Sequence, residues 1–474
     1  MSIFADDTRP GQAAAFGGLR THARSSGPTL ALAKVLNIFL LIGVFSVSWH
    51  IARPGDINFT ISDTAFLVVL LGLVGTSRLN LAPMGGLSPA WLFSLILMLG
   101  SLFVSTLVNG EILRWLIVAM QYIFAYLLLP MMFASFDARM LQRCMVFFVL
   151  GVTFSQAVGN IANIFFDFAD TAPLLGPNFI TGMGRLGAFS GNANNNSAMA
   201  GFALVMLFYV VGRRLMHPLL CILCGAFLLW GLVSSASFGG FVICLSASAL
   251  VLLARWPRRA MLAMLVIVAF VTFYISAGLP LPAVFEQRVM GALSGGGLQE
   301  AGTFTGRMEL AQEAWRIAGD TLIIGLGADS FRVVSVHQAP VHVFPLLLLT
   351  EAGLIGLLGF VGLLGLMWFQ AMIGMSVDTR RGVICVGVLV IFTLFTLTVP
   401  HMYARLWVAP VLLTLLTCLK PEEPGSAPPP RDLRKRRRPN KSWYPPATDH
   451  GFGEDDTKAP GFLEGPPTGY GKRS

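Results

Sequence analysis

The chain has 474 residues, of which 55% are apolar and 12% charged, against roughly 45–50% and about 25% in soluble globular domains. That composition excludes an ordinary soluble enzyme, because a single aqueous core stops growing at about 250–300 residues and this much apolar surface needs a bilayer as solvent. The net charge of +9 does not indicate nucleic acid either: much of it sits in Arg434, Lys435, Arg436, Arg437 and Arg438 on a Pro-rich tail, where a membrane-facing cytoplasmic anchor explains it.

A spanning helix needs about 20 mostly apolar residues. In chain order, such runs lie at about 30 to 49, 60 to 76, 90 to 108, 115 to 134, 144 to 166 and 196 to 212. They continue at about 218 to 235, 238 to 254, 260 to 277, 344 to 370, 383 to 399 and 406 to 419. The expected fold is therefore an all-α membrane protein of about 12 transmembrane helices. Residues 1–29 form a cytoplasmic segment, 30–419 the polytopic domain, and 420–474 a disordered, basic, Pro-rich cytoplasmic tail. The polar residues ahead of the first run argue against a cleavable signal peptide.

Lysine and arginine set the orientation, since short cytoplasmic loops carry the excess. With both termini inside, all but eight of the 33 Lys and Arg are cytoplasmic. The eight are Arg53, Arg114, Arg185, Arg288, Arg307, Arg316, Arg332 and Arg405. Two outer segments are long, 167–195 and 278–343, the larger one between helices 9 and 10. Within it, Gly291–Gly297 is a flexible stretch, and Thr305 to Ala318 predicts an amphipathic helix capped by Thr305. Glu309, Gln312, Glu313 and Arg316 are expected to face water, Leu310, Ala314 and Ile317 to face protein, and Arg307 to sit beside the apolar side. In the next span, Gly353, Gly356, Gly359, Gly362 and Gly365 recur every three positions and predict close helix packing.

The six cysteines all lie in apolar runs, so no disulfide framework is expected. Cys221-x-x-Cys224 lacks the second ligand pair of a zinc site, and no metal or cofactor is expected. No phosphate-binding Gly-rich loop or nucleophile elbow occurs. The outer face holds the remaining chemistry: Arg185, Arg288, Arg307, Arg332, Arg405, His337, His342, His401 and Glu351. Guanidinium forks suit phosphate oxygens, and no lysine lies outside, which points to an anionic ligand; pairing with loop carboxylates is the competing explanation. His342, where the large loop re-enters the membrane, has the imidazole suited to a general base near neutral pH. Glu351 lies deeper in the same span, as a ligand contact or a helix-packing group. Asn192 to Asn196, including Asn194, either binds sugar hydroxyls or caps the sixth span.

Taken in order, Gly184-Arg185-Leu186-Gly187-Ala188-Phe189 with Asn192–Asn196, then Thr305-Gly306-Arg307, Trp315 and Ile324-Gly325-Leu326-Gly327, then His342 and Thr350-Glu351-Ala352-Gly353-Leu354-Ile355-Gly356, resemble the O-antigen ligase and O-antigen polymerase superfamily. The resemblance covers about Gly184 to Phe360. Val343 stands where that family often has Asn, and Pro345 follows. The resemblance implies a metal-independent, inverting membrane glycosyltransferase of the bacterial inner membrane. Its active site would face the periplasm and move a glycan from an undecaprenyl-diphosphate carrier to a saccharide hydroxyl.

On that reading Arg307 and Arg185 hold the diphosphate and His342 activates the acceptor. Arg288, Arg405, Glu351 and Asn194 are further contacts to diphosphate or glycan. The expected partners are the lipid-linked oligosaccharide, a saccharide acceptor, membrane lipids and a chain-length regulator. Compact loops and the departure at Val343 favour a polymerase of exopolysaccharide or O-antigen repeats; a ligase to lipid A core is the alternative. A 12-span transporter or flippase of lipid-linked sugars is a third reading, opposed by the short connection Arg213–Pro218 after the sixth span and the scarcity of carboxylates within the spans.

Overall fold

The computed structural model describes residues 27–51, 59–258, 283–287 and 304–420. These residues are helical apart from their loops, with an isolated bridge between Ile180 and Leu186 as the sole β-type pairing among them. In chain order the helices are α1 (Gly27–Ser46), α2 (Ile61–Gly75), α3 (Ser88–Asn109), α4 (Ile112–Ile123), α5 (Leu129–Ala134), α6 (Ala138–Phe165) and α7 (Phe168–Leu175). There follow α8 (Ala193–Arg213), α9 (Pro218–Ser234), α10 (Phe238–Arg255), α11 (Phe304–Asp320), α12 (Phe344–Val377), α13 (Thr379–Phe395) and α14 (Arg405–Leu419).

Six of the helical segments are long and apolar enough to cross a membrane: α3 with its preceding turn, α4 continued into α5, α6, α8, α10 and α12. Four shorter apolar helices coincide with α1, α2, α9 and α14. The expected run at 260–277, the Gly-rich stretch, Arg288 and nearly all of the tail lie outside the described residues. Large apolar side chains such as Leu71, Phe93, Met120 and Ile222 stand exposed on the outward helix faces, as side chains that meet lipid do. α8 and α14 are apolar nearly all round and lie innermost; every residue from Arg405 to Cys418 is buried.

The helix ends fall into two groups. At one, the Lys420 amine donates to the Ala134 and Phe136 carbonyls, the Asn80 N–H to Ser135 Oγ, and Arg255 to the Arg380 carbonyl. Arg78, Arg213, Arg214 and Arg381 belong to the same end. At the other, Asn109 donates to the Gly325 carbonyl, Arg114 pairs with Asp329, and the Leu186 N–H reaches the Ser234 carbonyl.

Two irregularities are compensated by neighbours. Pro130 has no N–H to offer the Tyr126 carbonyl, and a π turn, Phe124–Leu128, precedes it. The Trp91 indole N–H donates to that carbonyl instead, at 2.6 Å. In α12, Gly353 takes φ +71° and breaks the helix. The segment 322–327 crosses the break: the Leu326 and Gly327 N–H groups donate to the Thr350 and Glu351 carbonyls, and the Leu354 N–H donates to the Leu322 carbonyl. Ser105, Thr106 and Asn109 of α3 hold the other side of this segment.

The glycine series divides accordingly. A Cβ at Gly359 would lie 2.5 Å from the Met98 nitrogen, and one at Gly362 2.6 Å from Ser94 Oγ, so both permit α12 to lie against α3. Gly365 meets nothing. A repeat of three drifts around a helix of 3.6 residues per turn, so the stripe leaves the interface.

Candidate functional site

The motif Gly184-Arg185-x-x-Gly187-x-Phe189 folds as a tight turn laid over a small apolar cluster. Gly184 adopts φ +73°, and the Thr181 N–H donates to the Arg185 carbonyl across the turn. Leu186 points down beside Phe179 and Ile180. Gly187 lies so close to the Asn178 carbonyl that a side chain there would collide with it. Phe189 packs against Trp49, Phe154 and Phe179. With the alternate residues committed downward, Arg185 is left on top. Its Nε donates to the Ser235 carbonyl at 3.1 Å and its Nη2 to Asn194 Oδ1 at 3.1 Å, and Ser237 Oγ also donates to Asn194 Oδ1.

Below this turn lies a buried amide network. Gln156 and Asn196 exchange hydrogen bonds, Asn196 also donates to the Leu186 carbonyl, and Ser234 donates to Asn160. Buried polar groups hold position only when satisfied, and this network ties the turn to α6, α8 and α9. Asn192 caps α8 by accepting the Asn194 N–H at 2.8 Å. The asparagine cluster therefore divides its work: Asn192 caps, Asn196 anchors, and Asn194 orients Arg185.

Arg307 reaches the same place from α11. Leu310 and Ala314 of that helix pack with Phe331, Val341 and Leu347, which fixes α11 against the segment leading into α12. The helix already includes Phe304, so Thr305 lies in its first turn and is not its cap. Glu313 also departs from expectation. It is buried and accepts hydrogen bonds from Ser335 Oγ and the Val336 N–H, both at 2.8 Å, because the loop after α11 folds back over that face.

Arg185, Asn192, Asn194, Arg307, His337 and His342 line one cavity of about 400 Å³. Its described lining contains two guanidinium groups and no carboxylate. His342 is half-buried, and its Nδ1 is enclosed with no hydrogen-bond partner among the described residues. Burial and then the Arg307 charge hold its pKa below the usual 6.5, against an opposing hydrogen bond to the Pro340 carbonyl. The imidazole is thus neutral at pH 7. Asn178 and Thr181, which also line the cavity, were not among the residues the sequence singled out; the turn that carries them offers no local chemical signal.

Other candidates sit elsewhere. Arg405 forms a buried ion pair with Asp63 and does not line this cavity. Glu351 is buried; Oε2 accepts the Asp329 N–H and Oε1 the Phe331 N–H, at 3.1 and 3.2 Å, which makes it a clamp on the segment crossing α12. Arg332 pairs with Asp329, as does Arg114. His401 stacks on Tyr403, and burial pushes its pKa down to about 4. Among the described residues no group of three or more His, Cys, Asp and Glu is arranged to hold a metal ion. Comparison of the chain with protein-family models and with curated proteins finds no match to either.

Proposed function

We propose that the protein is a membrane glycosyltransferase that moves a glycan from an undecaprenyl-diphosphate carrier to a saccharide hydroxyl, polymerising exopolysaccharide or O-antigen repeat units. The observation that carries this reading is the cavity in which Arg185, Arg307 and His342 meet from three separate segments, with no carboxylate among its described lining residues. The resemblance of those same segments to the O-antigen ligase and polymerase superfamily supports it.

A glycosyl diphosphate is an activated donor. The acceptor oxygen attacks the anomeric carbon and the bond from that carbon to the diphosphate oxygen breaks, with inversion. The acceptor proton passes to His342, and the lipid diphosphate departs carrying the electron pair. The protein's tasks are to hold the growing negative charge, which falls to Arg185 and Arg307, and to take one proton. Asn194 and the Ser235 carbonyl orient the Arg185 guanidinium at the border of the cavity.

On this reading the cavity faces the periplasm of a bacterial inner membrane, and the arginine-rich helix ends lie in the cytoplasm with both termini. The test is incubation of the purified protein in nanodiscs with lipid-linked repeat units, with and without lipid A core. A ladder of longer lipid-linked chains without core is the expected result. Product only with core makes the protein a ligase. No product, from a preparation that binds or translocates lipid-linked sugar, overturns the reading in favour of transport.

A further inference from the structure

α11 carries residues to a second cavity. Arg307 and Leu310 border the cavity of His342, while Met308, Gln312 and Trp315, spaced four and then three residues apart on another face, border one of about 760 Å³. His337 stands at the edge of both. Trp315 is 69% exposed, and α11 is not among the helices apolar enough to cross a membrane.

An exposed indole at such a place has two plausible partners, lipid and sugar, and its neighbours decide between them. Glu309, Gln312, Arg316 and His337 share the cavity wall with the apolar Met308 and Leu346, so the wall is amphipathic. A prenyl chain laid there would strip water from ionisable and amide groups without returning a hydrogen bond. A pyranose ring has an apolar face to lie on an aromatic ring and equatorial hydroxyls that need donors and acceptors around it, which these side chains are. The Val336 side of the cavity is tied to α11, since Glu313 accepts hydrogen bonds from Ser335 Oγ and the Val336 N–H.

We infer that this second cavity is an oligosaccharide subsite in which Trp315 is the stacking platform and Gln312, Glu309, Arg316 and His337 form the hydrogen-bonding rim. The inference rests on the glycosyl-transfer reading for its place in the reaction: the shared His337 sets the subsite beside the reacting centre, where sugars beyond the one being joined must lie. It depends on no particular repeat unit.

The test is calorimetric titration of the detergent-solubilised full chain with two probes. One is soluble oligosaccharide of two to eight repeats cut from the host strain's own surface polysaccharide; the other is farnesyl diphosphate. Trp315→Ala is expected to weaken oligosaccharide binding about tenfold, the order of one lost aromatic contact, and to leave farnesyl diphosphate binding unchanged. Trp315→Tyr is expected to restore most of the affinity. Equal oligosaccharide affinity in the wild type and Trp315→Ala overturns the inference. So does absence of oligosaccharide binding to the wild type, or a loss that falls on farnesyl diphosphate instead. Arg307→Ala separates the two readings: if that variant still transfers glycan while Trp315→Ala loses oligosaccharide affinity, the reaction mechanism fails and the subsite stands.

Discussion

Truncating Arg307 to alanine removes one of two guanidinium groups from the cavity without touching the packing of Leu310 and Ala314 beneath it. Transfer is expected to fall at least about a hundredfold, the usual cost of one preorganised hydrogen-bond donor, with membrane insertion unchanged; normal activity in this variant refutes the role. His342 gives a pH signature. On the proposed mechanism it acts in its neutral form, and its pKa is held below 6.5 by burial and by Arg307. The rate is therefore flat around pH 7 and falls on acidification through an inflection below 6.5. Removing the Arg307 charge relieves part of the depression, so in Arg307→Gln the His342 titration, followed by NMR of the ring, moves to higher pH. Arg405 has a different expected phenotype. It is paired with Asp63 in the interior, so Arg405→Ala and Asp63→Ala should each cost about 3–5 kcal/mol of stability by stranding a buried charge. The double variant should cost less than their sum.

The element that positions the site is the segment 321–342. It crosses the break in α12, is clamped by Glu351, and then delivers His337 and His342. Glu351→Gln turns one accepting oxygen into a donor facing a backbone N–H, which should lower stability by about 1–3 kcal/mol and reduce kcat more than KM as His342 loses its register. Gly353→Ala should behave similarly, because a Cβ there would sit 2.5 Å from the Ile323 carbonyl oxygen on a backbone with positive φ. Thermal unfolding of the detergent-solubilised variants measures both. The sequence announced parts of the site and its supports and concealed others. The Gly-Arg turn, Arg307 and His342 were legible because each is an unusual residue on an outer segment. The partner of Arg405 was not, since Asp63 lies 342 positions away. Nor was the burial of Glu313, since amphipathic spacing places it at the border of the apolar face and only the returning loop settles which side it takes.

At the scale of the molecule, long apolar runs located the helices well: each of the eleven expected runs that fall within the described residues lies on helical segments. It located the interior less well, because a helix that faces lipid and one that faces protein are equally apolar, and burial of α14 follows from packing alone. The two groups of helix ends make a prediction about orientation. The six native cysteines are buried, so a membrane-impermeant maleimide reports on an introduced one. Gln338→Cys, at the cavity end, should be labelled in intact spheroplasts, and Arg214→Cys, at the arginine-rich end, only after permeabilisation. The reverse pattern turns the protein over and places the cavity in the cytoplasm.

A helix released into lipid has to satisfy its own backbone, because nothing in hydrocarbon will do it instead. α12 is therefore expected to enter the bilayer unbroken, its interruption at Gly353 tolerated once Leu322, Leu326 and Gly327 take up the exposed amides and carbonyls. Those residues in turn need Ser105, Thr106 and Asn109 of α3. That dependence predicts an order of assembly in which α3 and α12 associate first and the crossing segment seats last, bringing His342 to its cavity. On the glycosyl-transfer reading, competence is then the final step of maturation, gained after insertion, and a chain arrested before it would be embedded yet inert.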